Sequence, residues 1–182
     1  MLAYKGFDKG YKCRGYQFDR HGVNREEKAK CVESGFHAAL NPLDCFDYYP
    51  DTKRSVYCIV DCTDDVHEDC SDTKIACTEM KILRDLTLHD MILHAILYIQ
   101  RHPQEALHSR VQRDCATARS GFAIAYGYNP IARGQSGDIL AFVQINHAKK
   151  ITGTCIMTVG KSKGIKPGIY YNIRGDEVNE SV

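Results

Sequence analysis

The chain has 182 residues, of which 43% are hydrophobic and 26% charged, and its formal net charge is +1. This is the composition of one globular domain, or of one domain with a small appendage, and it argues against a disordered tail or a fibrous repeat. The chain has no apolar run long enough for a transmembrane helix, and its start, MLAYKGFDKG, lacks the apolar segment of a signal peptide. We therefore expect a cytoplasmic protein that does not contact a membrane.

The nine cysteines are an unusual feature of this composition. Because their number is odd and no secretory signal accompanies them, we expect free thiols in a reducing cell. Cys58 and Cys62 have the spacing nearest to that of a metal site, but their segment has the pattern of a strand. Residues four apart in a strand are separated by roughly 13 Å, too far to share one zinc ion. We predict no metal site and cysteines that are mostly buried.

Charge is distributed unevenly along the chain. Residues 1–100 carry 13 basic and 17 acidic side chains, whereas residues 101–182 carry 11 basic and 6 acidic ones. Such a distribution attracts an anionic partner or aligns subunits, although two solvated faces would show it equally. A net charge of +1 gives little support for a dedicated nucleic-acid-binding protein.

The first half of the chain is predicted to consist of short strands with one or two helices. Asn41 and Pro42 have the pattern of an N-cap followed by proline at the first helical position, and the helix would end before Pro50. A short charged helix is possible at 25–31. The predicted strands are 2–7, 14–18, 35–39, 55–62 and 74–83.

The clearest helix is predicted at 86–100. Thr87 and Asp90 resemble a capping box, and apolar residues cover most of the helix surface, so we expect it to be largely buried. Asp90, His94, Tyr98 and Arg101 form one polar stripe, which we interpret as the solvent face; the alternative is that Asp90 tunes His94 as an acid/base group. A more polar helix is predicted near 104–111, beginning after Pro103.

Small residues recur every seven positions in the segment 114–134. Written in sevens, the segment reads DCATARS, GFAIAYG and YNPIARG, with alanine and glycine in register. Small residues that alternate and then end in glycine suit short strands and tight turns, and a fixed period is typical of a solenoid. Because three units bury little surface, this coil would need caps or neighbouring copies of the chain.

These elements predict an α+β fold: a small mixed sheet with a buried helix, a short Ala/Gly β-roll insert, and C-terminal strands. We divide the chain into an α+β body at 1–112, the β-roll at 113–138, and C-terminal strands at 139–182. No P-loop, nucleophile elbow or zinc-protease motif is present in the sequence.

Three segments of the sequence together resemble a known family. YKGFDKGYKCRGYQF, GFHAALNPLDCFDYYP and the Ala/Gly sevens followed by IKPGIYYNI resemble an uncharacterised domain family found in phages and prophages. The resemblance implies a viral setting rather than a particular chemistry. The sevens also resemble the head repeats of trimeric adhesins, which implies a homotrimer.

A second resemblance involves Tyr4-Lys5-Gly6, then Gly35-Phe36-His37-Ala38, then the tyrosines Tyr48 and Tyr49. These segments are similar to the NAD pocket of ADP-ribosyltransferases, in which two strands meet an aromatic helix that stacks nicotinamide. The resemblance implies NAD as cofactor and a catalytic carboxylate, for which Glu79 is the candidate. Where that family has arginine or histidine, this chain has Lys5.

Our first functional hypothesis is a non-enzymatic phage accessory protein that binds a nucleotide-like ligand or a host protein and counters host defence. Such a protein needs no cofactor. The alternatives are an NAD-using transferase and a structural component of a virion or its assembly. Glycine turns beside Arg119 and Arg133 would supply backbone N–H groups for phosphate. The predicted ligand-binding residues are Lys5, Arg14, Phe36, His37, Tyr48, Tyr49, Arg119 and Arg133.

Overall fold

A computed structural model describes residues 1–30, 33–68, 73–103 and 108–179. The chain divides into two compact units, Met1–Met91 and Ile92–Val182. The division into 1–112, 113–138 and 139–182 stays a prediction.

Strands dominate both units. The first unit contains β1 (Leu2–Phe7), β2 (Lys12–Cys13), β3 (Tyr16–Gln17), β4 (Val23–Arg25), β5 (Phe36–Ala39), β6 (Val56–Thr63), β7 (His67–Glu68), β8 (Lys74–Cys77) and β9 (Glu79–Leu86). The second contains β10 (Val111–Thr117), β11 (Phe122–Arg133), β12 (Ile139–Ile145), β13 (Ile151–Thr158), β14 (Tyr170–Asn172) and β15 (Glu177–Val178). A 3-10 helix (Pro42–Asp44) leads into α1 (Cys45–Tyr48), and α2 spans Leu88–Arg101.

The fold is β-rich, with 49% of the residues in strands and 13% in helices. The predicted α+β class therefore overestimated the helical content. Arg25 ends a strand and Val111 begins one, at positions where helices were predicted. The rest of these two predicted helices lies partly outside the described residues. The predicted strand 74–83 is interrupted at Thr78, and its two halves pair with different neighbours.

Seven of the described strands form one antiparallel sheet in the first unit, in the order β4-β9-β6-β1-β5-β8-β7, while β2 and β3 form a separate hairpin. β1 lies in the middle of this sheet, with Leu2 opposite Asp61 of β6 and Tyr4 opposite Ala39 of β5. Its neighbours are therefore distant in sequence. The core of this unit includes Phe7, Phe18, Phe36, Val60, Ile75, Met80 and Ile82.

Both predicted helix starts are confirmed. The Asn41 side chain accepts a hydrogen bond from Leu43 N, and Pro42 occupies the first position of the 3-10 helix. At α2, Asp90 Oδ2 accepts hydrogen bonds from Thr87 N and Oγ1, while Thr87 Oγ1 accepts one from Asp90 N. These bonds satisfy backbone donors that helix geometry leaves unpaired.

The exposed face of α2 differs from the predicted one. Leu93 and Leu97 are about 40% exposed, whereas His94 and Tyr98 of the predicted solvent stripe are less exposed than these leucines. The buried residues of the helix are Met91, Ile92, Ala95, Ile96 and Ile99.

In the second unit, β11 runs parallel to β10 and to β12. Val111 pairs with Ile124 and Thr117 with Arg133, while only residues 118–121 connect β10 to β11. A straight β11 would be about 36 Å long at about 3.3 Å per residue. The link from Thr117 to Phe122 reaches at most about 19 Å, at about 3.8 Å per Cα step. The chain must therefore bend back within β11.

A matching bend occurs in β10, where the register shifts between Arg113 and Cys115. Asp114 at this point has φ 57, in the left-handed region. A Cβ atom on Gly127 of β11 would collide with the Asp114 side chain, so glycine is required where the two bends meet.

The predicted seven-residue period is not the interval at which these strands pair. Ala116 pairs with Ala132, sixteen positions later, and Phe122 pairs with Ile139. The predicted Ala/Gly β-roll stays a prediction. Small residues do fill this interior, and the buried cluster includes Ala116, Ala123, Ala125, Ala132, Leu140 and Phe142.

Candidate functional site

A cavity of about 830 Å³ opens in the first unit. This volume lies in the range of small-molecule sites, about 300–1,000 Å³. Residues of β1, the β2–β3 hairpin, β5 and α1 line the cavity, with Lys74 from β8. We call it the β1 pocket.

The middle of β1 forms one wall of the β1 pocket through Lys5 and Gly6. The ring of Tyr49, just after α1, packs directly on Gly6, where an added Cβ would lie 2.7 Å from Tyr49 Cγ. The Tyr57 hydroxyl donates a hydrogen bond to Tyr49 O and holds the backbone there. Glycine at this position therefore lets an aromatic ring approach the strand.

Lys5 is the buried lysine of the site, with only 5% of its surface exposed. Its Nζ donates a hydrogen bond of 2.7 Å to His37 O and lies 5.3 Å from the ring centroids of both Phe7 and Phe18. In the described part of the chain, no carboxylate lies within ion-pair distance of this amine. Burial lowers the pKa of Lys5, although nearby thiols, first that of Cys13, oppose the shift.

Cys13 and Tyr49 form a polar pair beside Lys5. The Tyr49 hydroxyl donates to Cys13 Sγ at 3.0 Å, and Lys5 Nζ lies 3.8 Å from the same sulfur. Burial and then this hydrogen bond raise the pKa of Tyr49, so its hydroxyl stays protonated at neutral pH. Cys45, also at the pocket, is inert as a nucleophile because burial raises its pKa to about 12.

Aromatic rings cover another wall of the β1 pocket. The Phe36 ring lies 4.9 Å from Phe18 and 5.1 Å from Tyr16 (centroid distances), with tilted and edge-to-face geometry respectively. Tyr16 is 36% exposed and Tyr48 is 52% exposed. These rings offer apolar surface to a flat ligand.

Charged side chains of both signs surround the pocket. Arg14 is exposed, and none of the described carboxylates lies within ion-pair distance of it. Lys74 Nζ lies 4.6 Å above the Tyr48 ring, and Arg54 pairs with Asp51 at 3.7 Å. The acidic residues at the pocket are Asp8, Glu26, Glu33 and Asp51.

His37 contributes a half-buried imidazole to the lining. Burial first, and then the positive charge of Lys5, lower the pKa of His37. The imidazole is therefore neutral at pH 7, when it offers one hydrogen-bond donor and one acceptor.

The structure brings six of the predicted residues to the β1 pocket and leaves two elsewhere. Arg119 and Arg133 belong to the second unit, where Arg133 packs 4.5 Å from the Tyr170 ring centroid and donates to Thr117 Oγ1. The six residues that line the pocket are Lys5, Arg14, Phe36, His37, Tyr48 and Tyr49. Their role as ligand contacts stays a prediction.

Glu79, the candidate catalytic carboxylate, does not line the β1 pocket. It lies on β9, which β6 separates from β1, and it pairs with Arg25 at 2.7 Å.

Sequence reasoning missed several lining residues, notably Cys13, Tyr16 and Lys74. Lys74 reaches the site because β8 pairs with β5, which places it opposite Ala39. No local motif marks this pairing. For Tyr16, the alternation of aromatic residues at positions 16 and 18 was the sequence signal that could have indicated a strand of the β2–β3 hairpin.

Residues 1–94 match the family described as a domain of unknown function, DUF7666. The match covers more than half of the chain, and the protein belongs to this family. It includes every residue that lines the β1 pocket. Comparisons with curated proteins and with solved structures found no match.

No helix within the described ranges has the length and apolar composition needed to cross a membrane.

Proposed function

We propose that this protein binds a nucleotide-like ligand in the β1 pocket without transforming it. The observation that carries the proposal is the meeting of exposed aromatic rings with cationic side chains in a cavity of about 830 Å³. A flat base and a charged phosphate need this combination, and the volume accommodates a nucleotide.

The base would contact the tyrosine and phenylalanine rings. Tyr48 and Tyr16 present partly exposed rings, and the Phe36 ring packs edge-to-face against Tyr16. Stacking between a base and an aromatic side chain contributes about 1–3 kcal/mol per base. The neutral imidazole of His37 belongs to the same lining, where a base or sugar would contact it.

The phosphate would contact Arg14 and Lys74. Arg14 is exposed and forms no ion pair with a described carboxylate. Its guanidinium N–H groups can therefore form a bidentate pair of hydrogen bonds with a phosphate. Lys74 contributes a second positive charge beside the Tyr48 ring. The acidic residues at the pocket disfavour a highly charged polyphosphate, and we favour a ligand with one or two phosphates.

The resemblance to phage and prophage domains suggests the purpose of this binding. A small protein that holds a nucleotide signal would withhold it from a host defence system. The cytoplasm is where such a signal is found.

The NAD-using transferase remains a second candidate because all nine residues of its resemblance, including Lys5 and His37, line the same pocket. Its catalytic step lacks support, since Glu79 lies elsewhere and is paired with Arg25. Incubation with labelled NAD and cell lysate tests this alternative. Label transfer that Glu79→Ala abolishes would favour it over simple binding.

Isothermal calorimetry with linear and cyclic nucleotides tests the binding proposal. We expect Tyr48→Ala to weaken the affinity for the bound nucleotide by about 5- to 150-fold, the equivalent of one stacking contact. We expect Arg14→Ala to weaken it most for the phosphorylated members of the panel.

Matched controls lie in the second unit. Tyr128 is 44% exposed and Arg174 is exposed, and neither lines the β1 pocket. Tyr128→Ala and Arg174→Ala should leave the affinity unchanged. Absence of heat with every nucleotide would refute the proposed function.

A further inference from the structure

We propose that Lys5 gives the β1 pocket a second activity, the reversible capture of an aromatic aldehyde as an imine on Nζ. The inference uses the same pocket as the proposed function but does not require the natural ligand to be a nucleotide. It rests on the surroundings of the Lys5 amine.

The environment of Lys5 favours the neutral amine, which is the nucleophilic form. Two aromatic rings flank Nζ at 5.3 Å, and only 5% of the residue is exposed. No described carboxylate is close enough to hold the ammonium as an ion pair. Lysines activated for imine formation are found in such apolar pockets.

The contacts of Nζ leave its lone pair available. A neutral amine has two N–H bonds and one lone pair. The short hydrogen bond to His37 O uses one N–H, and Cys13 Sγ at 3.8 Å accepts weakly from the other. The lone pair then has no donor assigned to it among the described residues, and Lys5 is one of the residues that line the cavity.

The step balances without an oxidant or reductant. The Nζ lone pair attacks the carbonyl carbon, and the carbonyl π electrons move to oxygen. The two amine protons leave with that oxygen as water, and a C=N bond replaces the C=O bond.

The rest of the pocket selects the aldehyde. The rings of Phe36 and Tyr16 favour a flat aromatic aldehyde over an aliphatic one. The guanidinium of Arg14 favours an anionic substituent on that ring. The predicted ligand class is therefore an aromatic aldehyde bearing a phosphate or carboxylate.

Reductive trapping on the full chain tests the inference. The unaltered protein is incubated near pH 7 with a limiting amount of pyridoxal 5′-phosphate and with cyanoborohydride, and labelled lysines are located by peptide mass spectrometry. We expect Lys5 to be labelled faster than the exposed Lys9 and Lys12, because its apolar surroundings favour the neutral, nucleophilic amine. Benzaldehyde, which lacks the anionic group, should label Lys5 more slowly.

Lys81→Arg is the matched variant, because it alters an exposed lysine of the first unit that does not line the β1 pocket. It should keep the label on Lys5, whereas Lys5→Arg should lose that label alone. The comparison of lysines in the unaltered protein remains decisive if Lys5→Arg does not fold.

Labelling of Lys5 no faster than Lys9 and Lys12 would overturn the inference, even if nucleotides bind. Rapid labelling of Lys5 in a protein that gives no heat with nucleotides would support the inference and refute the proposed function instead.

Discussion

Gly6 shows how the absence of one side chain shapes the β1 pocket. Tyr49 can lie against the strand only because no Cβ projects from Gly6, and the same ring then holds Cys13 through its hydroxyl. The pocket wall therefore depends on a contact between a strand residue and an aromatic ring distant in sequence.

Gly6→Ala should lower the free energy of unfolding by about 1–3 kcal/mol, because the added methyl group forces the Tyr49 ring to move. Urea denaturation measures the change. Gly153→Ala is the control, since a Cβ there lies 3.4 Å or more from its neighbours, and it should change stability by less than about 0.5 kcal/mol. Equal effects of the two substitutions would show that Tyr49 does not constrain this position.

At this scale, local chemistry was predictable from the sequence and long-range proximity was not. The cap formed by Asn41 and Pro42 depends on neighbouring residues and was read correctly. The grouping of Lys5, His37 and Tyr48 came from a resemblance. Lys74 was missed, because it joins the site through strand pairing that the sequence does not display.

Among the secondary-structure elements, α2 has the most explicit local signal. Thr87 and Asp90 exchange hydrogen bonds at its start, and the two that the Asp90 carboxylate accepts, from Thr87 Oγ1 and Thr87 N, lower the pKa of Asp90. A carboxyl whose pKa is lower in the folded chain than in the unfolded chain stabilises the fold above its unfolded pKa of about 3.9. That stabilisation is lost as the pH falls through the folded value.

Asp90→Ala should therefore cost about 0.5–2 kcal/mol near pH 7, and the difference from the parent should shrink below about pH 4. Thermal unfolding followed by circular dichroism across this pH range provides the measurement. Leu97→Ala, an exposed and uncharged change about two turns further along the same helix, should give a difference from the parent that does not vary with pH. A pH-independent difference for Asp90→Ala would mean that the Asp90 charge does not act in the cap.

The strands of the second unit show why a periodic pattern misled the prediction. Alanines recur every seven residues, yet Ala116 pairs with Ala132, sixteen positions later. The bends in β10 and β11 lengthen the stretch of chain between residues that pair. The periodicity of the sequence indicated where small residues alternate. It did not indicate how many residues separate two strands that pair. The burial of these small residues was predictable, whereas their partners were not.

For the whole molecule, the main open prediction is the homotrimer. The second-unit cluster that includes Ala125, Leu140 and Phe142 is buried within a single chain. Its stability therefore does not require a neighbouring copy, although trimer formation through another surface is compatible with this burial.

Light scattering tests the trimer directly. Three copies would scatter as a particle of three times 20.5 kDa, and a mass of 20.5 kDa would contradict the prediction. Because the core is buried within one chain, we expect the thermal midpoint to change little over a tenfold range of protein concentration. A midpoint that rises steeply with concentration would show that the chain depends on its neighbours to fold.

The central position of β1 has a consequence for synthesis of the protein on the ribosome. β1 is made before β5 and β6, the two strands between which it lies. The edge of β1 that pairs with β6 is therefore without hydrogen-bond partners until the chain has been extended through Thr63, whereas the β5 edge can pair once Ala39 has been made. During that interval the nascent chain exposes an unpaired strand edge, the kind of segment that chaperones protect from aggregation.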